Sequence, residues 1–135
     1  MIQIIMGLKG SGKTKKLIDS VNQAAQSAQG SVVCIEYGSN LRYEIKSSVR
    51  LVDSKEYGIT NADMLKGLLS GLHAGNYDIT NVYIDNLYKT IGTDRAAGEE
   101  FVAWCAAFAE ANFMEITITV SDDPAQAGEA EKQYL

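Results

Sequence analysis

The chain has 135 residues, of which 46% are hydrophobic and 21% charged, and its formal net charge is −5. That length suits one domain that buries a hydrophobic core without disulfides or metals. A single proline and the lack of low-complexity tracts argue against disorder, and no apolar run approaches the roughly 20 residues of a membrane helix. The acidic balance disfavours a nucleic-acid binder, because such proteins carry a basic face.

The N-terminus and the cysteines indicate where the protein works. No basic stretch followed by a long apolar one opens the chain, so no secretory signal is predicted. Cys34 and Cys105 lie in apolar surroundings, which favours two buried thiols over a disulfide. Two cysteines are also too few for a four-cysteine metal site. We therefore expect a cytoplasmic protein.

Short β-rich runs alternate with amphipathic stretches along the chain. Strands are predicted at Ile2–Met6, Ser31–Glu36, Thr80–Asp85 and Met114–Val120, with short strand candidates at Leu41–Ile45 and Val49–Val52. Helices are predicted at Lys13–Ala28, Asn61–Ala74 and Asp94–Asn112, with a short terminal helix that has Pro124 at its first position. This alternation predicts an α/β three-layer sandwich around a mainly parallel five-stranded sheet. Ligands of such sheets bind at the carboxyl ends of the strands.

Residues Gly7–Thr14, GLKGSGKT, fit the pattern G-x-x-x-x-G-K-[ST] in full and are called the glycine loop below. A predicted strand precedes the loop and a predicted helix follows it, which is the context that this phosphate-binding motif needs. Its backbone N–H groups can surround an anion, and the helix N-terminus adds its dipole. A glycine-rich turn without a ligand is the alternative. We expect phosphate contacts from Gly7, Leu8, Lys9, Gly10, Ser11, Gly12, Lys13, Thr14 and Lys15.

Two residues of this motif have particular roles in nucleotide chemistry. The Lys13 ammonium can reach the β- and γ-phosphates, and the Thr14 hydroxyl can bind Mg²⁺. Lys9 could add a phosphate contact, although a solvated loop lysine is the commoner outcome. A second Mg²⁺-side oxygen is expected from Asp85, because this carboxylate follows an apolar strand. An aspartate that merely turns the chain is the alternative for Asp85.

Hydrolysis also needs a group that orients or deprotonates water. The residue after Asp85 is Asn86, which cannot act as a base. Glu36 ends the second predicted strand, and in a parallel sheet that end opens on the same edge as the glycine loop. Glu36 is therefore the candidate base, and an exposed glutamate that starts a turn is the alternative.

This combination resembles the RecA-like, additional-strand branch of P-loop NTPases, which includes strand-exchange ATPases. In that branch the catalytic glutamate ends the strand after the phosphate-loop helix, and a small polar residue follows the Walker B aspartate. The resemblance covers residues 1–122 and implies a catalytic role for Lys13 and Glu36 and a Mg²⁺ role for Thr14 and Asp85. It also places Ser121 near a polar sensor position.

Two other families share part of this layout. The opening IIMGLKGSGKT is similar to short bacterial ATP-binding proteins labelled as twitching-motility-ATPase-like, but the acidic and histidine boxes of the retraction ATPases are missing. Type II thymidine kinases carry a zinc lobe and a Glu after the Walker B aspartate, and this chain has neither. A lone histidine, His73, falls on a predicted helix and excludes Ser-His-Asp and Cys-His sites.

The sequence predicts one P-loop nucleotide-binding domain over residues 1–135 that binds ATP or another NTP with Mg²⁺. Slow hydrolysis coupled to a conformational or assembly change is the leading function. A regulatory module that binds nucleotide without hydrolysis and a small nucleoside or nucleotide phosphotransferase are the alternatives. A second copy or a protein partner is compatible with the sequence, and Arg95 could then act as an arginine finger, although a solvated arginine is commoner. The segment 37–60 and the tail 121–135 are the parts left to provide specificity.

Overall fold

The computed structural model describes residues 1–135 and has an α/β architecture. The strands are β1 (Ile2–Gly7), β2 (Ser31–Glu36), β3 (Arg50–Asp53), β4 (Ile79–Ile84) and β5 (Glu115–Ser121). The helices are α1 (Lys13–Ser27), α2 (Ala62–Gly75), α3 (Leu87–Ile91), α4 (Arg95–Ala111) and α5 (Glu129–Lys132). A short 3₁₀ helix, Pro124–Gln126, precedes α5 and has Pro124 at its start, as predicted.

All five strands are parallel and form one sheet in the order β1-β5-β4-β2-β3. The predicted five-stranded sheet is thus confirmed, and it is parallel throughout. β5 pairs with β1 through Ile4 and Ile118, and with β4 through Val82 and Ile116. Because every strand runs in the same direction, the residues that follow the strands meet at one edge of the sheet.

Two separate hydrophobic cores cover the two faces of the sheet. On one face, Leu17 and Val21 of α1 pack with Val32 and Cys34 of β2. On the other face, Leu65 of α2 and Phe101 of α4 pack against strand residues that alternate with those of the first core. Each fully buried Leu or Phe contributes about 1.5–3 kcal/mol by leaving water. The result is the predicted three-layer arrangement, with a helical layer on either side of the sheet.

The predicted strand at Leu41–Ile45 is wrong. These residues form consecutive turns, and Leu41 and Ile45 are buried in the core on the α1 side. Their apolar side chains are therefore explained by a turn that packs into the core, and they do not indicate a strand. The neighbouring candidate Val49–Val52 is confirmed as β3, displaced by one residue. The five-residue helix α3 was not predicted, because one helical turn is too short to show a period.

Both cysteines are buried free thiols, as expected from the sequence. Burial raises the pKa of Cys34 and of Cys105 well above the ordinary thiol range. None of the helices combines the length and apolar character needed to cross a bilayer.

The C-terminal segment is held against the sheet and α4 by backbone hydrogen bonds. Ile4 N donates to Tyr134 O at 2.8 Å, which attaches the tail to the outer edge of β1. Ala130 N and Glu131 N donate to the Glu99 carboxylate. Glu131 is buried, and desolvation together with the neighbouring Glu99 raises its pKa above the ordinary glutamate value. The tail is therefore part of the folded domain.

A glycine inside α4 makes room for the ring of Tyr88 on α3. A Cβ atom built at Gly98 would lie 2.7 Å from Tyr88 Cε1, which is closer than side-chain atoms approach one another. Glycine is a poor helix former, so Gly98 by itself lowers the stability of α4. Its position is explained by the contact: α3 and α4 can pack this closely only where α4 lacks a side chain.

We predict opposite effects for alanine at two helical glycines. Gly67→Ala in the exposed part of α2 should stabilise the protein by about 1 kcal/mol, because alanine favours the helix and nothing lies near the new Cβ. Gly98→Ala should lower the free energy of unfolding, since the ring of Tyr88 must move. Urea titrations of both variants check this, and stabilisation by Gly98→Ala would show that α3 repacks freely.

Candidate functional site

The glycine loop joins β1 to α1 and depends on backbone conformations that favour glycine. Gly10 and Gly12 have φ of 87° and 88°, in the left-handed region. Side chains are strained there, so these two positions fix the course of the loop. Gly12 is also the N-cap of α1, and no side chain caps the first amides of this helix. Those amides are thereby left available to a ligand at the loop.

Lys13 is buried at the start of α1, and only 8% of it is exposed. Its Nζ atom donates a 3.0 Å hydrogen bond to the Leu8 carbonyl oxygen, within the same loop. A buried ammonium needs acceptors, and one carbonyl satisfies one of its three donors. The remaining donors of Lys13 can serve an anion in the loop.

Asp85 follows β4 and is held by a threonine of the neighbouring strand. Thr119 Oγ1 donates to Asp85 Oδ1 at 2.8 Å and accepts a hydrogen bond from Asn86 N at 2.6 Å. The other carboxylate oxygen of Asp85, Oδ2, makes no hydrogen bond within the protein. Asn86 has φ of 56°, a left-handed conformation that asparagine tolerates, and the chain turns there into α3. One oxygen of Asp85 is thus fixed and the other is free to bind a ligand.

A polar cleft of about 430 Å³ brings the glycine loop and Asp85 together. No hydrophobic residue lines it, and its volume falls within the range of small-molecule sites. Six of the predicted phosphate contacts line the cleft, together with four residues from the ends of β4 and β5. The lining residues are Lys9, Gly10, Gly12, Lys13, Thr14, Lys15, Asp85, Asn86, Thr119 and Ser121.

Three predicted contacts do not line the cleft: Gly7, Leu8 and Ser11. The Leu8 side chain is 61% exposed. Gly7 closes β1, and a Cβ atom there would meet the Ser11 side chain. These residues shape the loop, and Leu8 provides the carbonyl that holds Lys13. Ser121, placed near a sensor position by resemblance, does line the cleft.

Glu36 is buried and accepts two hydrogen bonds from the backbone. Asn40 N donates to its Oε1 at 3.0 Å and Leu41 N donates to its Oε2 at 2.9 Å. The alternative of an exposed glutamate is therefore wrong, although Glu36 does organise the turn that follows β2. Desolvation raises the pKa of Glu36, and the two N–H donors oppose that shift. Each carboxylate oxygen keeps a second lone pair that can accept from water.

Glu36 faces a smaller cavity of about 190 Å³ that adjoins the polar cleft. Thr14, Asp85 and Asn86 line both spaces, so the two lie side by side. Lys89 of α3 also lines the smaller cavity. The structure thus brings the candidate base and the candidate metal-side residues to one edge of the sheet, as their positions at the ends of parallel strands predict.

Arg95 and His73 lie apart from the cleft. Arg95 opens α4, and its Nε and Nη2 donate to the two carboxylate oxygens of Asp122 at 2.7 and 2.9 Å. This bidentate pair lowers the pKa of Asp122. Asp122 N in turn donates to Gly7 O at 3.1 Å, which ties the end of β5 to the glycine loop. His73 packs against Phe108 and Tyr77.

The sequence did not indicate the roles of Asn86, Thr119 and Lys89. Thr119 is a polar residue in an otherwise apolar strand, and it is fully buried. A threonine at such a position is the one feature of the sequence that could have indicated a buried hydrogen bond. Its partner is Asp85 only because β5 lies next to β4, and the strand order is not visible in the sequence. Lys89 belongs to α3, which was itself not predicted.

Comparison of the chain with protein-family models and with curated proteins finds no match in either.

We predict that Thr119→Val weakens both the fold and the site. The change removes the acceptor of Asn86 N and the donor to Asp85, and an unpaired buried group costs about 1–3 kcal/mol. Urea unfolding measures the loss of stability, and Mg²⁺-dependent nucleotide binding measures the loss at the site.

Thr117→Val is the matched control, because Thr117 lies two residues earlier on β5, is also buried, and makes no side-chain hydrogen bond. Equal effects of the two substitutions would contradict a specific role for the Thr119 hydroxyl.

Proposed function

We propose that this protein is a P-loop nucleotide-binding protein of the RecA-like, additional-strand branch, which binds ATP or another NTP with Mg²⁺ and hydrolyses it slowly. The observation that supports it best is the convergence of Lys13, Thr14 and Asp85 on one polar cleft. Lys13 and Thr14 belong to the motif, whereas Asp85 follows β4, about seventy residues further along the chain. A glycine-rich turn with no ligand does not require that convergence.

The phosphate chain would be held by the residues of the glycine loop. Amides of the loop and of the first turn of α1 donate to phosphate oxygens, and the helix dipole favours the negative charge. Lys13 exchanges its bond with the Leu8 carbonyl for stronger, charge-assisted bonds to phosphate. Lys9 and Lys15 line the same cleft and add positive charge around it.

The donors for Mg²⁺ fit that ion. Thr14 and Asp85 offer a hydroxyl and a carboxylate oxygen on one cleft, and Mg²⁺ takes few protein ligands and keeps several waters. No cluster of three or more His, Cys, Asp or Glu side chains could hold a metal on its own. Mg²⁺ would therefore arrive with the nucleotide, and it would neutralise charge on the phosphates. Thr119 keeps the Asp85 carboxylate in place for this role.

We assign the orientation of the attacking water to Glu36. It lines the smaller cavity, which shares Thr14, Asp85 and Asn86 with the cleft. Its raised pKa makes it a better proton acceptor than an exposed glutamate when it is ionised. Asn86 stands at the position next to Asp85 and cannot take this role.

The binding proposal predicts that Lys13→Ala abolishes thermal stabilisation by Mg-ATP. A ligand at a hundred times its Kd stabilises a protein by about 2.7 kcal/mol, so wild type should melt several degrees higher. Lys16→Ala is the control, because Lys16 lies on the same helix, is exposed and does not line the cleft. Unaltered stabilisation of the Lys13→Ala variant would rule out the phosphate site.

The hydrolysis proposal predicts that Glu36→Gln lowers phosphate release by about a hundredfold or more while Mg-ATP still binds. Because the pKa of Glu36 is raised, wild-type turnover should increase with pH through a midpoint above that of an ordinary glutamate. Thermal melting of the variant separates a chemical loss from a disturbed turn.

Turnover that survives Glu36→Gln with an unchanged pH profile would exclude Glu36 as the base. A wild type that binds Mg-ATP and never releases phosphate would instead favour a regulatory nucleotide-binding module.

A further inference from the structure

The carboxyl groups of Glu99 and Glu131 meet where the tail crosses α4. Glu99 lies on α4, and its two oxygens accept hydrogen bonds from the backbone of the tail, at Ala130 N and Glu131 N. Glu131 lies on α5, and its Oε1 accepts from Gly128 N at 3.3 Å. The contact is close, since a Cβ atom built at Gly128 would lie 2.5 Å from Glu99 Cδ. Both carboxyl groups are thus bound to the same short stretch of backbone.

The surroundings of Glu131 favour its neutral form. Only 2% of this residue is exposed, and its buried Oε2 atom receives no hydrogen bond from any N–H or O–H group of the chain. Neither Glu99 nor Glu131 forms an ion pair with a lysine or an arginine. A buried charge without such a partner is costly, and a carboxyl group in that position tends to keep its proton.

The charged groups that face Glu131 from neighbouring elements act in the same direction. Desolvation raises the pKa of Glu131, a backbone N–H donor opposes this, and Glu99 on α4 and Asp122 after β5 raise it further. Arg95 does not offset them, because its guanidinium is held by Asp122. Burial raises the pKa of Tyr88 on α3 to about 12, so this neighbour is uncharged at neutral pH.

We propose that Glu99 and Glu131 share one proton, which fastens the tail to α4 and is lost to water as the pH rises. With the proton on Glu131, its O–H donates to the Glu99 carboxylate, and a hydrogen bond to an ionised acceptor is a strong one. Loss of the proton leaves two carboxylates in contact, with Asp122 nearby, and like charges repel one another. The tail then separates from α4, and the hydrogen bond from Ile4 N to Tyr134 O is lost with it.

The direction of the pH effect follows from the raised pKa of Glu131. Below the ordinary glutamate pKa, Glu131 carries its proton whether the tail is attached or free, so attachment does not depend on its titration. Between the ordinary and the raised pKa, only the attached tail keeps the proton, and attachment weakens by about tenfold per pH unit. Above the raised pKa both forms are ionised, and the loss is complete.

The test measures hydrogen exchange of the Ile4 amide by NMR from about pH 4 to pH 9, expressed as a protection factor that removes the pH dependence of intrinsic exchange. Wild-type protection should fall by about tenfold per pH unit above the ordinary glutamate pKa and then level off. Glu131→Gln should keep protection constant, because its amide donates to Glu99 without a titrating proton. Glu99→Gln should also reduce the fall, since its amide can donate to an ionised Glu131.

Two controls accompany these variants. Glu129→Gln should reproduce the wild-type curve, because Glu129 lies on the same helix and is exposed. The amide of Val82 reports unfolding of the whole domain, since β4 is paired on both sides. Its protection shows that each variant is folded, and Ile4 should exchange faster than Val82 at every pH.

Three results would overturn the proposal. Wild-type protection at Ile4 that does not change with pH would show that no proton holds the tail. The same fall in wild type and in both glutamine variants of the pair would show that another group titrates. Equal protection at Ile4 and Val82 would show that the tail leaves only when the whole domain unfolds.

Discussion

The position of β5 between β1 and β4 determines the geometry of the whole site. β5 is hydrogen-bonded to both neighbours, and all three strands are parallel. The glycine loop after β1 and Asp85 after β4 are therefore separated by the width of one strand, β5. Thr119 and Ser121, from the end of this strand, fill the space between them. Thr119 fixes Asp85, and Asp122 N bonds to Gly7 O at the start of the loop. If β5 slipped by one residue, its buried and bonding side chains would exchange faces and both links would be lost.

Two charged groups are buried around this edge, and each has a partner that reduces the cost of its burial. Lys13 has the Leu8 carbonyl, and Glu36 has two backbone amides. Such partners compensate only in part, because burial raises the pKa of Glu36 despite its two donors. The Tyr88 hydroxyl has no partner at all. An unpartnered buried group of this kind lowers the stability of a fold.

Much of the fold was predictable because long periodic segments dominate it. Lys13–Ala28 and Asp94–Asn112 were predicted as helices from their apolar faces, and both are present within two residues. The strand prediction at Leu41–Ile45 was wrong because three or four apolar residues in a short run do not distinguish a strand from a buried turn. The helix α3 could not be predicted because five residues are too few to show a helical period.

The site was predictable to the extent that it is local in sequence. The glycine loop is one continuous motif, and Asp85 and Glu36 follow strands that could be recognised. The Thr119–Asp85 bond joins residues about thirty positions apart in the chain, and only the strand order brings them together. The glycine at position 98 is likewise explained only by the structure, which packs the ring of Tyr88 against it.

The outer edge of β1 has a consequence for handling the protein. β1 has a strand neighbour on one side only, and Ile2–Gly7 carries no charge, bulge or proline that would discourage pairing with another chain. The tail covers part of this edge, where Tyr134 O accepts from Ile4 N. A shortened or displaced tail would therefore expose an unpaired strand edge with which another chain could pair.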